Sequence, residues 1–282
     1  MKKIKLAGRK VSAIGIGTWH MGDNPAEEQS EIAAIRAGID AGADVIDTAE
    51  MYGNGKSESL LKKALLTYDR DKLFLISKVL PNNASVERME HSLDASLDRL
   101  GTAYLDLYLY HWRGKFPLSE TVNELQRLVE KGKIRSWGVS NFDTSDMKEL
   151  WSLPNGNMVA ANEDLYNLGN RGIDYDLVKW QQAHEIPLIA YSPLGGYRTS
   201  DSQMIKDTKV RKIAEKYQVS VQQVLLAWTI RNKTTIAIPQ TSNPAHMKAN
   251  IEAGNLELTE EDLQLLEQAF PEPKVKEPLA IR

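Results

Sequence analysis

The sequence predicts a (β/α)8 TIM barrel with an N-terminal hairpin cap, formed as a single domain over residues 1–282. Three observations predict it. Short apolar, strand-like runs alternate with longer amphipathic stretches, the pattern of a parallel sheet. The alternation repeats eight times, which suits a closed barrel better than an open sheet. Several runs are apolar throughout, as strands buried on both faces are. The 282 residues fit one such barrel without a second core.

The elements follow in order. Residues 4–12 read as a hairpin turning at Ala7-Gly8, placed as a cap on the barrel floor. Strand 14–17 then precedes helix 27–41, strand 44–47 helix 57–66, and strand 73–78 helix 85–100. Strand 105–111 precedes helix 118–131, strand 136–140 helix 144–150, and strand 159–163 helix 175–184. Strand 187–191 is followed by two helices, 208–217 and 221–231. The eighth strand, 235–239, is followed by helices 245–251 and 260–270. The end, 271–282, is rich in proline and charge and reads as surface chain.

Composition removes several functions. The chain has no cysteine, so disulfides and thiolate metal sites are excluded. Its five histidines are scattered without zinc-ligand spacing. The net charge of −3 comes with no basic block to track nucleic acid. No apolar run approaches a membrane span, and no signal core follows the basic start. These features read as a cytoplasmic protein that binds neither membrane nor nucleic acid.

The informative polar residues sit at strand ends. Asp47 ends the second strand, Lys78 the third and His111 the fourth, each about one strand–helix unit after the last. Consecutive parallel strands thus bring an acid, an ammonium and an imidazole to the C-terminal rim, where barrels build their chemistry. Tyr52, shortly after Asp47, can fold over the same rim. A carbonyl that receives hydride on carbon needs a proton on oxygen, and a phenol can supply it. The phenol's ordinary pKa is about 10, and a nearby ammonium is expected to lower it. Asp47 would hold that ammonium, and His111 would orient and polarise the carbonyl. Any one of these residues alone reads as an ordinary solvated strand end or a satisfied buried histidine; the four in register do not.

At these residues the sequence resembles the aldo-keto reductase family. The resemblance is carried by Asp47-Thr48-Ala49-Glu50-Met51-Tyr52-Gly53, by Leu75-Ile76-Ser77-Lys78 and by Leu105 to Trp112. Two more segments, Trp137 to Phe142 and Ala190 to Gly195, are similar to its nicotinamide-binding motifs. The short loops resemble those of prokaryotic methylglyoxal-reductase-like members. The resemblance implies NADPH-dependent reduction of small aldehydes or ketones by a monomer, with NADH possible. It implies Tyr52 as general acid, with Lys78, Asp47 and His111 around it. It places Ser140 and Asn141 on the nicotinamide carboxamide, Tyr191 against the ring, and Ser192, Pro193, Leu194 and Gly195 along the pyrophosphate. Gly17, Thr18, Asp47 and Asn250 are further implied cofactor contacts. Trp19 and Trp112 would line the substrate pocket beside Tyr52 and His111; rim packing explains both tryptophans equally well.

Two departures bear on chemistry. Glu163 stands where the family usually has a glutamine on the carboxamide. An ionised carboxylate only accepts hydrogen bonds and would favour the cationic, oxidised ring. Gln240 and His246 stand where many NADPH-dependent members have a lysine and an arginine, which removes charge-assisted bonds to the 2′-phosphate. Thr241, Ser242 and Asn243-Pro244 still read as hydroxyls and an N-cap before a helix, a ready phosphate site, and Lys248 could compensate. Gly15-Ile16-Gly17 lacks the third glycine of a dinucleotide fingerprint in its place. Two rivals remain: a Schiff-base lyase using Lys78, and a nicotinamide-binding subunit without turnover.

Overall fold

The computed structural model describes residues 2–196 and 199–282, without the side chains of 199–202. Its centre is a ring of parallel strands in chain order: β3 (Ile16–Gly17), β4 (Val45–Asp47), β5 (Phe74–Val79), β6 (Leu107–Tyr110), β7 (Trp137–Ser140), β8 (Asn162–Leu165), β9 (Leu188–Tyr191) and β10 (Thr235–Ala237). The ring closes where the chain before β3 meets β10. Gly15 N donates to Ala237 O at 2.8 Å, Ala237 N to Ala13 O at 3.0 Å and Gly17 N to Pro239 O at 3.0 Å. Gly17 permits that approach, because a Cβ there would lie 2.5 Å from Ile238 O. β3 to β8 are buried along their whole length.

Helices surround the ring because their apolar faces need cover. They are α1 (Glu28–Asp40), α2 (Lys56–Leu65), α3 (Met89–Leu100), α4 (Leu118–Glu130), α5 (Thr144–Ser152), α6 (Leu177–Ala183), α7 (Thr199–Lys206), α8 (Thr208–Tyr217), α9 (Val221–Thr229), α10 (Pro244–Glu252) and α11 (Glu260–Ala269). Capping side chains start several of them: Asp143 for α5, Ser220 for α9 and Thr259 for α11 each close a capping box. The hairpin is β1 (Lys3–Leu6) against β2 (Arg9–Ser12), antiparallel. Ala7 and Gly8 take positive φ (47° and 80°), the turn that matches strand twist. The cap is fastened by charge: Arg9 places a guanidinium nitrogen 2.8 Å from the buried Asp106 carboxylate, which Arg70, in the turn before β5, also meets at 2.8 Å.

Three elements differ from the sequence expectation by more than two residues. The sixth strand starts at Asn162 instead of Val159, because a 3-10 turn at Gly156–Met158 delays it and the polar Asn162, Glu163 and Asp164 all enter the sheet. The third helix starts at Met89, since Ser85 O first accepts from Arg88 N and Met89 N in a tight turn. Helix α7 was not expected. The end of the chain is also more than surface chain. Lys276 forms ion pairs with Asp143 and Asp176, Lys179 reaches Glu272 at 2.5 Å, and Arg282 arrives at the barrel mouth. Among the described residues, no helix is long and apolar enough to cross a membrane.

Candidate active site

The C-terminal ends of the strands open into a cleft of about 400 Å³, in the range of small-ligand sites. At its base, Lys78 is fully buried and projects from β5 into the barrel. Ser77 beside it points outward to Glu58 on α2, at 2.7 Å, as strand alternation requires. The Lys78 ammonium lies 2.7 Å from both Asp47 carboxylate oxygens, 2.9 Å from Thr48 O and 3.4 Å from the Tyr52 hydroxyl. It also faces Glu163 Oε1 at 3.4 Å. Tyr52 occupies a turn where Gly53, Asn54 and Gly55 all take positive φ, and a Cβ at Gly55 would strike the Arg99 side chain. The turn is thus held against α3, and Tyr52 meets the His111 ring edge-on, with centroids 6.1 Å apart. The four residues expected together are together.

Their electrostatics differ from the expectation in one respect. The Tyr52 phenol is pushed above its ordinary range, not below it. Burial is the largest cause; Lys78 opposes it, and the negative charge of Asp47 adds to it. One ammonium shared among two carboxyl groups cannot favour the phenolate as strongly as a lone one. The resting tyrosine is therefore the protonated phenol, the form a proton donor needs. Lys78 is held above its ordinary range: burial opposes the charge, but the Asp47 carboxylate outweighs it. His111 is lowered to about 3, by burial first and then by Lys78, so it is a neutral imidazole.

Glu163 also departs from the ionised carboxylate the sequence suggested. Burial is the largest force raising its carboxyl well above the usual range, with Asp47 adding to it. Asp47 takes two short bonds from Lys78 while Glu163 has one longer contact, so the pair's proton rests on Glu163.

The cleft walls contain most of the other expected residues. Gly17, Thr18, Trp19, Trp112, Ser140, Asn141, Glu163, Tyr191, Ser192, Pro193, Leu194, Gly195 and Gln240 all line it. Asn141, at φ 58°, ties three strand ends together: its amide donates to His111 O and Ser140 Oγ, both at 3.0 Å, and accepts from the Tyr191 hydroxyl at 2.8 Å. Thr241, Ser242, His246 and Asn250 lie outside the cleft wall, on the approach to α10 and in that helix. Asn243 caps α10, accepting from Ala245 N and His246 N, with Pro244 at the first turn. Gln240 and His246 are exposed, and Lys248 lies 3.8 Å from Glu252 on its own helix. A cleft lined by the Tyr191 phenol, the Asn141 amide and the Ser192–Gly195 turn, with the capped start of α10 beyond its wall, fits a nicotinamide dinucleotide.

Several lining residues carried no sequence signal. His20 stacks on Trp19 with centroids 4.4 Å apart, and Met51, Gly196, Ile238 and Pro239 fill gaps. The largest omission is Arg282. Its guanidinium donates to Ser192 Oγ at 2.8 Å, lies 5.4 Å from the Trp19 ring centroid and packs on Gly196 so closely that a Cβ there would meet it. Among the described lining residues it is the one guanidinium. Only a fold that returns the chain's end to β9 could have revealed it.

Residues 13–270 match the profile of the aldo/keto reductase family. The chain is 46% identical to methylglyoxal reductase YeaE of Escherichia coli (strain K12), covering 98% of this chain and 97% of that protein. It is 27% identical to the NADH-specific methylglyoxal reductase of the same organism, over 95% of this chain and 98% of that one. A crystal structure of an aldo/keto reductase from Klebsiella pneumoniae in complex with NADP and acetate superposes with a TM-score of 0.97 at 42% identity, covering 100% of this chain and 99% of that chain.

Proposed function

The chain belongs to the aldo/keto reductase family, and from that premise we propose that it reduces small aldehydes and ketones such as methylglyoxal, with Tyr52 as the proton donor. One observation supports this reading most: the Tyr52 hydroxyl stands at the cleft, 3.4 Å from an ammonium that Asp47 fixes from below. A bound reduced nicotinamide supplies the hydride. The chain's own residues do the rest. Tyr191 and the Ser140–Asn141 pair orient the ring, and neutral His111 donates to or orients the carbonyl oxygen. Tyr52 gives that oxygen its proton, while Lys78 stabilises the phenolate left behind. Trp19, Met51 and Trp112 at the mouth favour a small substrate.

Lys78 is poorly suited to the rival Schiff-base chemistry, which needs a neutral amine. It keeps its proton and spends it on Asp47, Thr48 O and Tyr52.

The test is the loss of reduced-nicotinamide absorbance with methylglyoxal and a panel of small aldehydes. Turnover is expected with NADPH, and more slowly with NADH. The exposed Gln240 and His246 offer the 2′-phosphate fewer charged partners than a lysine and arginine would, so the preference should be modest. An enzyme that binds NADPH yet consumes none with any of these carbonyls would sink the reading.

Arg282 enters the same scheme. Its guanidinium stands beside the Ser192–Gly195 turn on the proposed pyrophosphate path. A charge-assisted bond contributes about 1.5 kcal/mol or more, so Arg282→Ala should weaken NADPH binding roughly tenfold. The binding should also become less sensitive to salt. Fluorescence titration at two ionic strengths checks this; unchanged or tighter binding would show that the guanidinium does not serve the cofactor.

A further inference from the structure

Glu163 is 2% exposed and projects from β8 toward Lys78 and Asp47. Three facts about it converge. Lys78 carries one positive charge and already gives Asp47 two bonds at 2.7 Å, leaving Glu163 a contact at 3.4 Å. Glu163 Oε2 is buried and meets no N–H or O–H donor among the described residues. An ionised carboxylate with a dry oxygen is costly. Its partner across the shared Lys78 ammonium is Asp47, another carboxyl group, which raises it further. Two carboxyl groups can bond only with a proton between them, and two carboxylates with one ammonium would leave a buried net negative charge.

The other titratable groups near Glu163 do not supply a second cation. Tyr52 and Tyr191 are neutral phenols raised by burial, and His111 is a neutral imidazole. Asp164, the next residue along β8, points to the opposite face, toward Asp143, Asp146 and Lys276. The charge balance of the cleft therefore changes sharply if a cation is placed against its wall.

We propose that Glu163 is a proton switch tied to the oxidation state of the nicotinamide, protonated beside the neutral reduced ring and ionised beside the cationic oxidised one. This rests on the reading above, in which the ring lies against Tyr191 with its amide at Ser140 and Asn141. The proton count balances without any further reactant. Binding of NADP+ breaks the Glu163 O–H bond and releases that proton to solvent; binding of NADPH releases none. In turnover the substrate oxygen takes one proton from Tyr52, and the carboxyl group gives one up as the ring becomes cationic. Asp47 and Lys78 lie between donor and phenol, so the site holds the proton that restores Tyr52.

The test measures binding, not turnover. NADP+ and NADPH affinities are titrated from about pH 7 to 9, where their 2′-phosphates behave alike and cancel in the ratio. NADP+ should tighten relative to NADPH as pH rises, by up to tenfold per pH unit while Glu163 is protonated in the free protein. Calorimetry in buffers of different ionisation enthalpy should find close to one proton released with NADP+ and close to none with NADPH. Glu163→Gln should flatten the ratio, whereas Tyr52→Phe should leave its slope in place. A wild-type ratio that does not move with pH, equal proton release with both cofactors, or a slope that survives Glu163→Gln overturns the switch. The wild-type measurements decide this even if a variant does not fold. Failure of both cofactors to bind would instead overturn the reading of the cleft, and the switch with it.

Discussion

Tyr52→Phe is expected to lower kcat with methylglyoxal by roughly 10²–10⁴-fold, the usual contribution of a positioned acid. The substitution removes one oxygen, which accepts from Lys78 at 3.4 Å, so fold and NADPH affinity should hardly change. No neighbour can take over the role easily. His111 is neutral at working pH, with its imidazole lowered to about 3. Lys78 holds its proton more firmly than an ordinary lysine, because the Asp47 carboxylate faces it at 2.7 Å. What remains is slow protonation by water in a hydride-competent cleft. Paired measurements of kcat and of NADPH affinity by fluorescence check the claim. A variant that keeps more than about a tenth of wild-type kcat would remove Tyr52 from the proposed role.

Much of this arrangement was legible because it depends on strand ends. Asp47, Lys78 and His111 are polar residues closing apolar runs, and parallel strands in chain order can only deliver them to one rim. Tyr52 followed from its nearness to Asp47. Burial was not legible, and burial reverses two charge expectations. The Tyr52 phenol moves up because dehydration outweighs Lys78, and Glu163 keeps its proton because Lys78 is already committed to Asp47. The β8 boundary misled for a related reason. A run of Asn162, Glu163 and Asp164 looks like the end of a strand, yet all three are buried within it. Helix α7 and the Arg282 contact were hidden differently: the first lacks a strong apolar stripe, and the second depends on where a distant segment returns.

Lys78→Met should cost both activity and stability, and the two losses should separate with pH. The ammonium is the one cation within salt-bridge distance of Asp47 and Glu163 among the described contacts. Removing one partner of a buried ion pair destabilises by about 3–5 kcal/mol, which in a chain of this size lowers Tm by on the order of 10 °C. The penalty is the cost of a buried carboxylate without a cation, so it depends on protonation. Burial already raises the Asp47 carboxyl, with Lys78 opposing; without Lys78 it rises further. A carboxyl raised in the folded state is tolerated below its unfolded pKa, and its stability is lost as pH rises through the folded pKa. Thermal melts of Lys78→Met should therefore approach wild type toward about pH 4–5 and fall away toward neutrality. Turnover should stay low at every pH, because the phenolate that forms on Tyr52 no longer has a cation beside it. A Tm deficit that is constant from acid to neutral pH would mean that Lys78 is held by packing alone, and that the Asp47–Lys78 pair does not set the charge of the site.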